Sequence, residues 1–396
     1  MKSSHPAAAV SPVSGTAQSL VRRRLLMGAV SAAACAMSGR LMAAADDVIR
    51  IGQSVGLTGP LGELGKAIHL GARIGFDEVN AQGGVHGRRI ELIARDDGYT
   101  VARSVENTRA FLADPGMFAL FTPMGTPNIE AVLPMVRGTD MPLFAPLTGG
   151  LVARPADMRN VMNLRPSYPD EAERLVEHLA TIGIRRIAIA YQNNGFGKEV
   201  LAGTETAARK HGVTLAAAAS IVNDGSDAAA AVATIAAAEP EAVLLGLAGK
   251  PTIDFVKGIR VARKGLPLYA LSVMGSASTL AALGDDGRGI AVTQVVPLPT
   301  NPVVPVVRTF LQACRNHEPA PQPSHLALEG YINARVFAEV LRRSGKTPSR
   351  KAFIESAWAL KGYDLGGFDI NFERPGRNAS RFIELTMISH AGRFIR

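Results

Sequence analysis

Met117-Phe118-Ala119-Leu120-Phe121-Thr122-Pro123-Met124-Gly125-Thr126-Pro127-Asn128-Ile129 carries an apolar run directly into a helix start. Met117–Phe121 has the length and apolarity of a buried strand, and Ile129–Val136 reads as a helix. Thr126 is a residue type that caps helix N-termini, and Pro127 suits the first helical position. A helix starting here directs unpaired backbone N–H groups and the positive end of its dipole forward. Such an end is either a receptor for a carboxylate or other anion, or a plain cap that holds nothing.

Working outward, the same alternation recurs. Val48–Gln53 reads as a strand, Leu64–Asn80 as a helix, Arg89–Arg95 as a strand, Val101–Ala113 as a helix and Pro142–Ala145 as a short strand. Strands alternating with helices predict a parallel, doubly wound sheet. The pattern breaks at Thr148-Gly149-Gly150 and resumes at the strand Val161–Leu164. A second series follows. Its helices are Glu171–Ile182, Phe196–His211, Ala228–Ala238 and Pro251–Arg263; its strands are Arg186–Tyr191, Val213–Ile221, Ala242–Leu247 and Leu266–Leu271. Then come the strand Ile290–Val296 and the helices Pro302–Arg315, His325–Ser344 and Ser349–Ala359. Gly366–Phe372 and Phe382–Ile388 are expected to pair as strands, with a last short strand at Phe394-Ile395.

A chain of 396 residues exceeds one ordinary domain and suits two. Apolar residues make up 47% and charged residues 19%, which fits a large globular core. The first 45 residues read as an export signal rather than fold. Lys2 and Arg22-Arg23-Arg24 are basic, Leu25–Met37 is a short apolar run, and Ala43-Ala44-Ala45 offers a cleavage site. Arg22 to Leu26 fits a twin-arginine-like signal or a Sec signal with a rich basic region. Cys35 is a poor lipid-anchor site, because Ala32 stands where a lipoprotein signal carries Leu. Removing residues 1–45 takes Lys2, Arg22, Arg23, Arg24 and Arg40 and no acid, which lowers the formal charge from +9 to +4. Without a dense basic patch, nucleic acid is not an expected partner. Cys314 alone remains, so neither an internal disulfide nor a Cys-based metal site is expected.

No nucleophile–base motif, zinc motif or phosphate loop is present, so no catalytic, metal or cofactor residue is assigned. Asp96-Asp97 does not read as an acid pair, since adjacent residues of a strand face opposite ways; Asp97 is read as fixing its loop. The loops at strand ends converge instead. Gly125 permits close backbone approach, Thr126 and Thr148 bring hydroxyls, and Phe196 offers a flat apolar wall.

Leu57-Thr58-Gly59-Pro60, the run from Glu78 to Arg88 with its Asn-Ala-x-Gly-Gly-x-x-Gly form, and Ile93-Ala94-Arg95-Asp96-Asp97 carry a family likeness. Tyr191 with Phe196-Gly197, Glu329-Gly330-Tyr331 and Gly366-Gly367 extend it. From about Val48 to Arg396 the chain resembles the periplasmic type I solute-binding proteins of ABC transporters, in the leucine/isoleucine/valine-binding branch. The resemblance implies two doubly wound parallel-sheet lobes joined by three hinge crossings, here near Arg165, Val296 and Gly362. Lobe 1 is then 46–165 plus 297–362, and lobe 2 is 166–296 plus 363–396. It implies that Gly125, Thr126, Leu147, Thr148 and Gly149 hold a ligand carboxylate, while Leu64, Phe196 and Ala248 face it from the walls. Met274 matches the acidic residue that pairs with a ligand ammonium, and Ala248 matches an aromatic that closes over the ligand. The carboxylate end is thus kept and the amine end lost.

The expected function is periplasmic ligand capture for ABC-type import of a branched-chain amino acid or related small carboxylate. The expected protein is a monomer whose partners are permease subunits, with no cofactor and no enzymatic activity. The alternative is a ligand-sensing subunit for a membrane signalling protein; neighbouring permease and ATPase genes, or a kinase gene, would separate the two.

Overall fold

The computed structural model describes residues 48–396. The export signal, its Ala43-Ala44-Ala45 junction and Cys35 lie outside the described residues.

The first lobe runs through β1 (Val48–Val55), α1 (Gly62–Ala81), β2 (Arg89–Asp96), α2 (Val101–Leu112), β3 (Met117–Phe121), α3 (Thr126–Val136), β4 (Leu143–Phe144) and β5 (Val161–Met162). Its five-stranded sheet has the order β2-β1-β3-β4-β5, with β1–β3, β3–β4 and β4–β5 parallel. A parallel sheet needs apolar cover on both faces. Neighbouring residues supply it by alternation: Phe121 and Phe144 join Phe76, Phe337 and Phe353 on one face. Leu120 and Leu143 join Phe111, Ile129 and Leu133 on the other.

The second lobe runs through α4 (Tyr168–Thr181), β6 (Arg186–Gln192), α5 (Gly195–His211), β7 (Thr214–Ile221), α6 (Ala228–Ala237), β8 (Ala242–Gly246), α7 (Lys250–Ala262), β9 (Leu268–Ala270), α8 (Ala277–Leu283) and β10 (Ala291–Gln294). Ser167 and Asp170 form a reciprocal capping box at the start of α4, and Asn194 caps α5 by accepting from the Gly197 N–H. Strands β7, β6, β8, β9 and β10 are parallel in that spatial order.

The chain then returns to the first lobe with α9 (Pro305–Arg315), α10 (His325–Arg343) and α11 (Arg350–Ala359). Helix α10 lies backbone to backbone on α1: a Cβ at Gly71 would stand 1.8 Å from the Ala327 carbonyl oxygen, so only glycine fits there. A small antiparallel pair, β11 (Tyr363–Asp364) and β12 (Asp369–Ile370), precedes β13 (Glu384–Ile388) and β14 (Phe394–Ile395).

Two doubly wound parallel sheets are therefore present, as the alternation of elements predicts. Two details differ. Gly366–Phe372 does not pair with Phe382–Ile388. β12 pairs with β11, whereas β13 adds antiparallel to β10 and carries β14 on its outer edge. The passage between lobes expected near Gly362 also lies later. Leu365, Phe368, Ile370, Phe372 and Ala379 are buried in the same cluster as Ile49 and Phe121 of the first sheet. Their apolar area keeps this segment on the first lobe until the chain reaches β13.

Candidate ligand-binding cleft

The carboxyl ends of both sheets face one another, the place where open α/β sheets bind ligands. The first lobe contributes Leu61 and Leu64 from the start of α1, Met124-Gly125-Thr126 after β3, and Leu147 after β4. The second contributes Tyr168, Phe196 after β6, Ala248 after β8, and Val273 after β9. Leu326 of α10 and Tyr99 complete the lining. None of these side chains carries a formal charge. The walls approach so closely that the cavity between them is ≈ 30 Å³, room for a water or two rather than a ligand. Admission of a leucine-sized molecule requires the walls to part.

The polar corner is built from two strand-end loops. Met124 and Leu147 bridge in parallel, with the Gly125 N–H donating to the Leu147 carbonyl at 3.2 Å and the Leu147 N–H to the Pro123 carbonyl at 2.8 Å. Gly125, not Thr126, is the N-cap residue of α3, and Thr126 begins the helix. The Thr126 hydroxyl turns sideways instead, sharing a hydrogen bond of 2.7 Å with the Thr148 hydroxyl. Thr148 Oγ1 in turn accepts from the Gly150 N–H at 2.9 Å. The N–H groups of Thr126 and Asn128 in the first turn take no partner among the described residues, which leaves the helix end electropositive.

Aromatic side chains hold this corner in shape. Gly125 has φ 101°, and a Cβ on it would stand 2.6 Å from Tyr99 Cε2. A Cβ on Gly149 would stand 2.4 Å from Tyr168 Cδ1. Tyr168 donates its backbone N–H to the Gly149 carbonyl at 2.8 Å and meets the Phe196 ring edge-on at 4.9 Å. Tyr99 adopts the left-handed region at φ 59°, held by the Asp97 carboxylate, which accepts its N–H at 2.8 Å and the Ser54 hydroxyl at 2.8 Å. This is the loop-fixing role expected of Asp97. Burial raises the pKa of the Asp97 carboxyl against these hydrogen bonds. Burial also raises both tyrosines, so Tyr99 and Tyr168 present neutral hydroxyls.

Of the sequence-derived residues, Leu64, Gly125, Thr126, Leu147, Phe196 and Ala248 line the cavity. Thr148 and Gly149 stand just behind, one through its hydroxyl and the other through Tyr168. Met274 does not line it. Along β9 and beyond, Tyr269, Leu271 and Val273 face the cleft-side cluster, while Leu268, Ala270 and Met274 face the opposite core. Val273, rather than Met274, lines the cavity, because the chain leaves β9 into the 3₁₀ turn Ser272–Met274, which turns Met274 to the far core. Tyr99, Tyr168 and Leu326 were not anticipated; the left-handed backbone at Tyr99 had no glycine or asparagine to signal it.

Among the described residues no helix is long and apolar enough to cross a membrane, and no group of three His, Cys, Asp or Glu could hold a metal ion.

A model of periplasmic binding proteins matches residues 48–393. The Leu/Ile/Val-binding protein homolog 7 of Brucella melitensis biotype 1 is 24% identical over 368 residues, which is 87% of this chain and 90% of that protein. A substrate-binding periplasmic protein from Ralstonia solanacearum has a TM-score of 0.80 at 32% identity, over 88% of this chain and 99% of its own. A possible leucine/isoleucine/valine-binding protein from Rhodopirellula baltica has a TM-score of 0.81 at 26% identity, over 88% and 96%. With two parallel-sheet lobes meeting at a cavity of uncharged lining and this likeness over nearly every described residue, the chain belongs to the periplasmic binding protein family.

Proposed function

We propose that the chain captures a small carboxylate with an apolar body in the periplasm, by closure of two lobes, and delivers it to the permease of an ABC-type importer. The observation that carries this reading is the uncharged lining, polar at one corner only. A carboxylate at that corner meets unpaired N–H groups at the start of α3 and the Thr126 and Thr148 hydroxyls. The rest of the lining suits a branched or aromatic body: Leu61, Leu64, Tyr99, Phe196, Val273 and Leu326. An ammonium in the same chamber would find Val273 where it needs a carboxylate, and burying an unpaired charge costs several kcal/mol. A deaminated branched-chain or aromatic acid fits better than the parent amino acid. In this reading the chain binds and releases its ligand unchanged.

Calorimetric titration with matched pairs tests it: leucine against 4-methyl-2-oxopentanoate, and phenylalanine against 3-phenylpropanoate. The expected outcome is saturable binding of the acids, with affinity at least about tenfold above that of the amino acids. Tight leucine binding without response to either acid sinks the proposal.

A further inference from the structure

One contact between the lobes pairs a carboxylate of the second with backbone N–H groups of the first. Glu199 of α5 reaches across the cleft and accepts two backbone hydrogen bonds, from the Leu151 N–H at 2.7 Å and the Val152 N–H at 3.0 Å. Both N–H groups open a single 3₁₀ turn, Leu151–Ala153, that has no side-chain cap of its own. Orphan donors at a helical start are where a carboxylate is best placed. The turn belongs to the first lobe, since Ala153 is buried with Leu120 and Ile129 and Val152 packs against them.

The grip is connected to the binding corner on both sides. On the first lobe, Leu151 follows Gly150, whose N–H donates to Thr148 Oγ1, which bonds Thr126 Oγ1. On the second lobe, Glu199 lies one turn beyond Phe196, which lines the cavity. One helix therefore delivers both an apolar wall and a clasp on the loop carrying the hydroxyls. Moving α5 away breaks both hydrogen bonds at once.

We propose that Glu199 is a positioning residue for ligand capture: its two-pronged hold on Leu151 and Val152 keeps the lobes shut and sets the Thr126–Thr148 corner in its binding geometry. This rests on reading the cleft as a ligand trap, but it can be tested without any ligand. Nitroxide labels at Glu106→Cys and Glu205→Cys, exposed positions on the two lobes, report the inter-lobe distance by pulsed electron spin resonance. Cys314 is buried and stays unlabelled.

The labelled parent is expected to show a short-distance population, and Glu199→Ala to reduce it at least about tenfold, as loss of two charge-assisted hydrogen bonds implies. Glu199→Asp should restore part of it. Glu130→Gln, which changes an acid near Gly195 that makes no such hold, should leave it unchanged. Circular dichroism and melting temperature of the variants check that each lobe stays folded. A parent without the short-distance population, or a Glu199→Ala distribution identical to the parent's, overturns the proposal. Failure of the carboxylate screen alone would leave this distance result standing, so the two readings fail separately.

Discussion

Arg165 and Glu329 face each other at 3.6 Å beneath the cleft, both almost wholly buried, and Arg165 also reaches Glu171 at 3.3 Å. One guanidinium thus serves two carboxylates. Glu171 is otherwise well supplied: it accepts from the Ser272 N–H at 2.9 Å, the Ser272 hydroxyl at 3.1 Å and the Thr293 hydroxyl at 2.6 Å. Glu329 has the longer contact with Arg165 and no hydrogen bond among the described residues. The cluster ties helix α10 of the first lobe to α4 of the second through the crossing that carries Arg165.

Removing Arg165 would leave two buried carboxylates without a counter-charge. Arg165→Met should therefore cost about 3–5 kcal/mol of unfolding free energy, the range for breaking a buried pair from one side. Urea unfolding followed by circular dichroism checks it. Adding Glu329→Gln to Arg165→Met should recover part of the loss, since one stranded charge then disappears. A loss below about 1 kcal/mol would show that water reaches the cluster freely.

Burial raises the Glu329 carboxyl above its ordinary value of 4.5, and the nearby negative charge of Glu171 adds to this against the pull of Arg165. The folded state then holds a proton that the unfolded state releases. Stability is lost as pH rises from about 4.5 through the raised folded value. Glu329→Gln removes this loss, so its melting temperature relative to the parent should rise between pH 4.5 and pH 8. A difference that stays constant over that range would mean that Glu329 titrates normally.

The elements themselves were legible because the apolar spacing is strong. Met117–Phe121 reads as a buried strand and is one, and the Gly125–Asn128 turn is a helix start, as its residue types suggest. What escaped was decided by partners distant in sequence. Thr126 looks like a cap, yet Thr148 draws its hydroxyl away and Gly125 takes the cap position. Tyr168 lies on the first turn of α4, ahead of the stretch from Glu171 that reads as helix, and nothing local says that its ring packs on Gly149. The late passage between lobes rests on Phe368, Ile370 and Phe372 finding the first core rather than the second, a choice that periodicity does not encode.

Gly125 should tolerate no side chain. Gly125→Ala places a Cβ 2.6 Å from the Tyr99 ring, on a backbone at φ 101°. The expected cost is roughly 1–3 kcal/mol, the sum of backbone strain and a displaced ring. Gly138→Ala separates the two terms, because Gly138 also has positive φ, at 74°, but no atom within 4 Å of its Cβ position. Its cost should be about 1 kcal/mol. Thermal melts of both variants check the ranking; equal losses would remove Tyr99 from the account.

The 3₁₀ turn after β9 makes the last expectation specific to one residue. Val273 lines the chamber, while Met274 is buried with Leu245 and Val256 on the far side of the sheet. A carboxylate introduced at Val273 would face a ligand ammonium; one at Met274 would face only apolar side chains. Val273→Glu should shift binding toward amino acids at the expense of their deaminated partners, by about tenfold or more in the ratio of affinities. Met274→Glu should leave that ratio unchanged and lower stability, because a carboxyl buried without partners costs several kcal/mol or stays protonated. Titrating leucine and 4-methyl-2-oxopentanoate into both variants distinguishes the positions. If Met274→Glu changed the ratio and Val273→Glu did not, the turn at Ser272–Met274 would have to present the opposite face to the cleft.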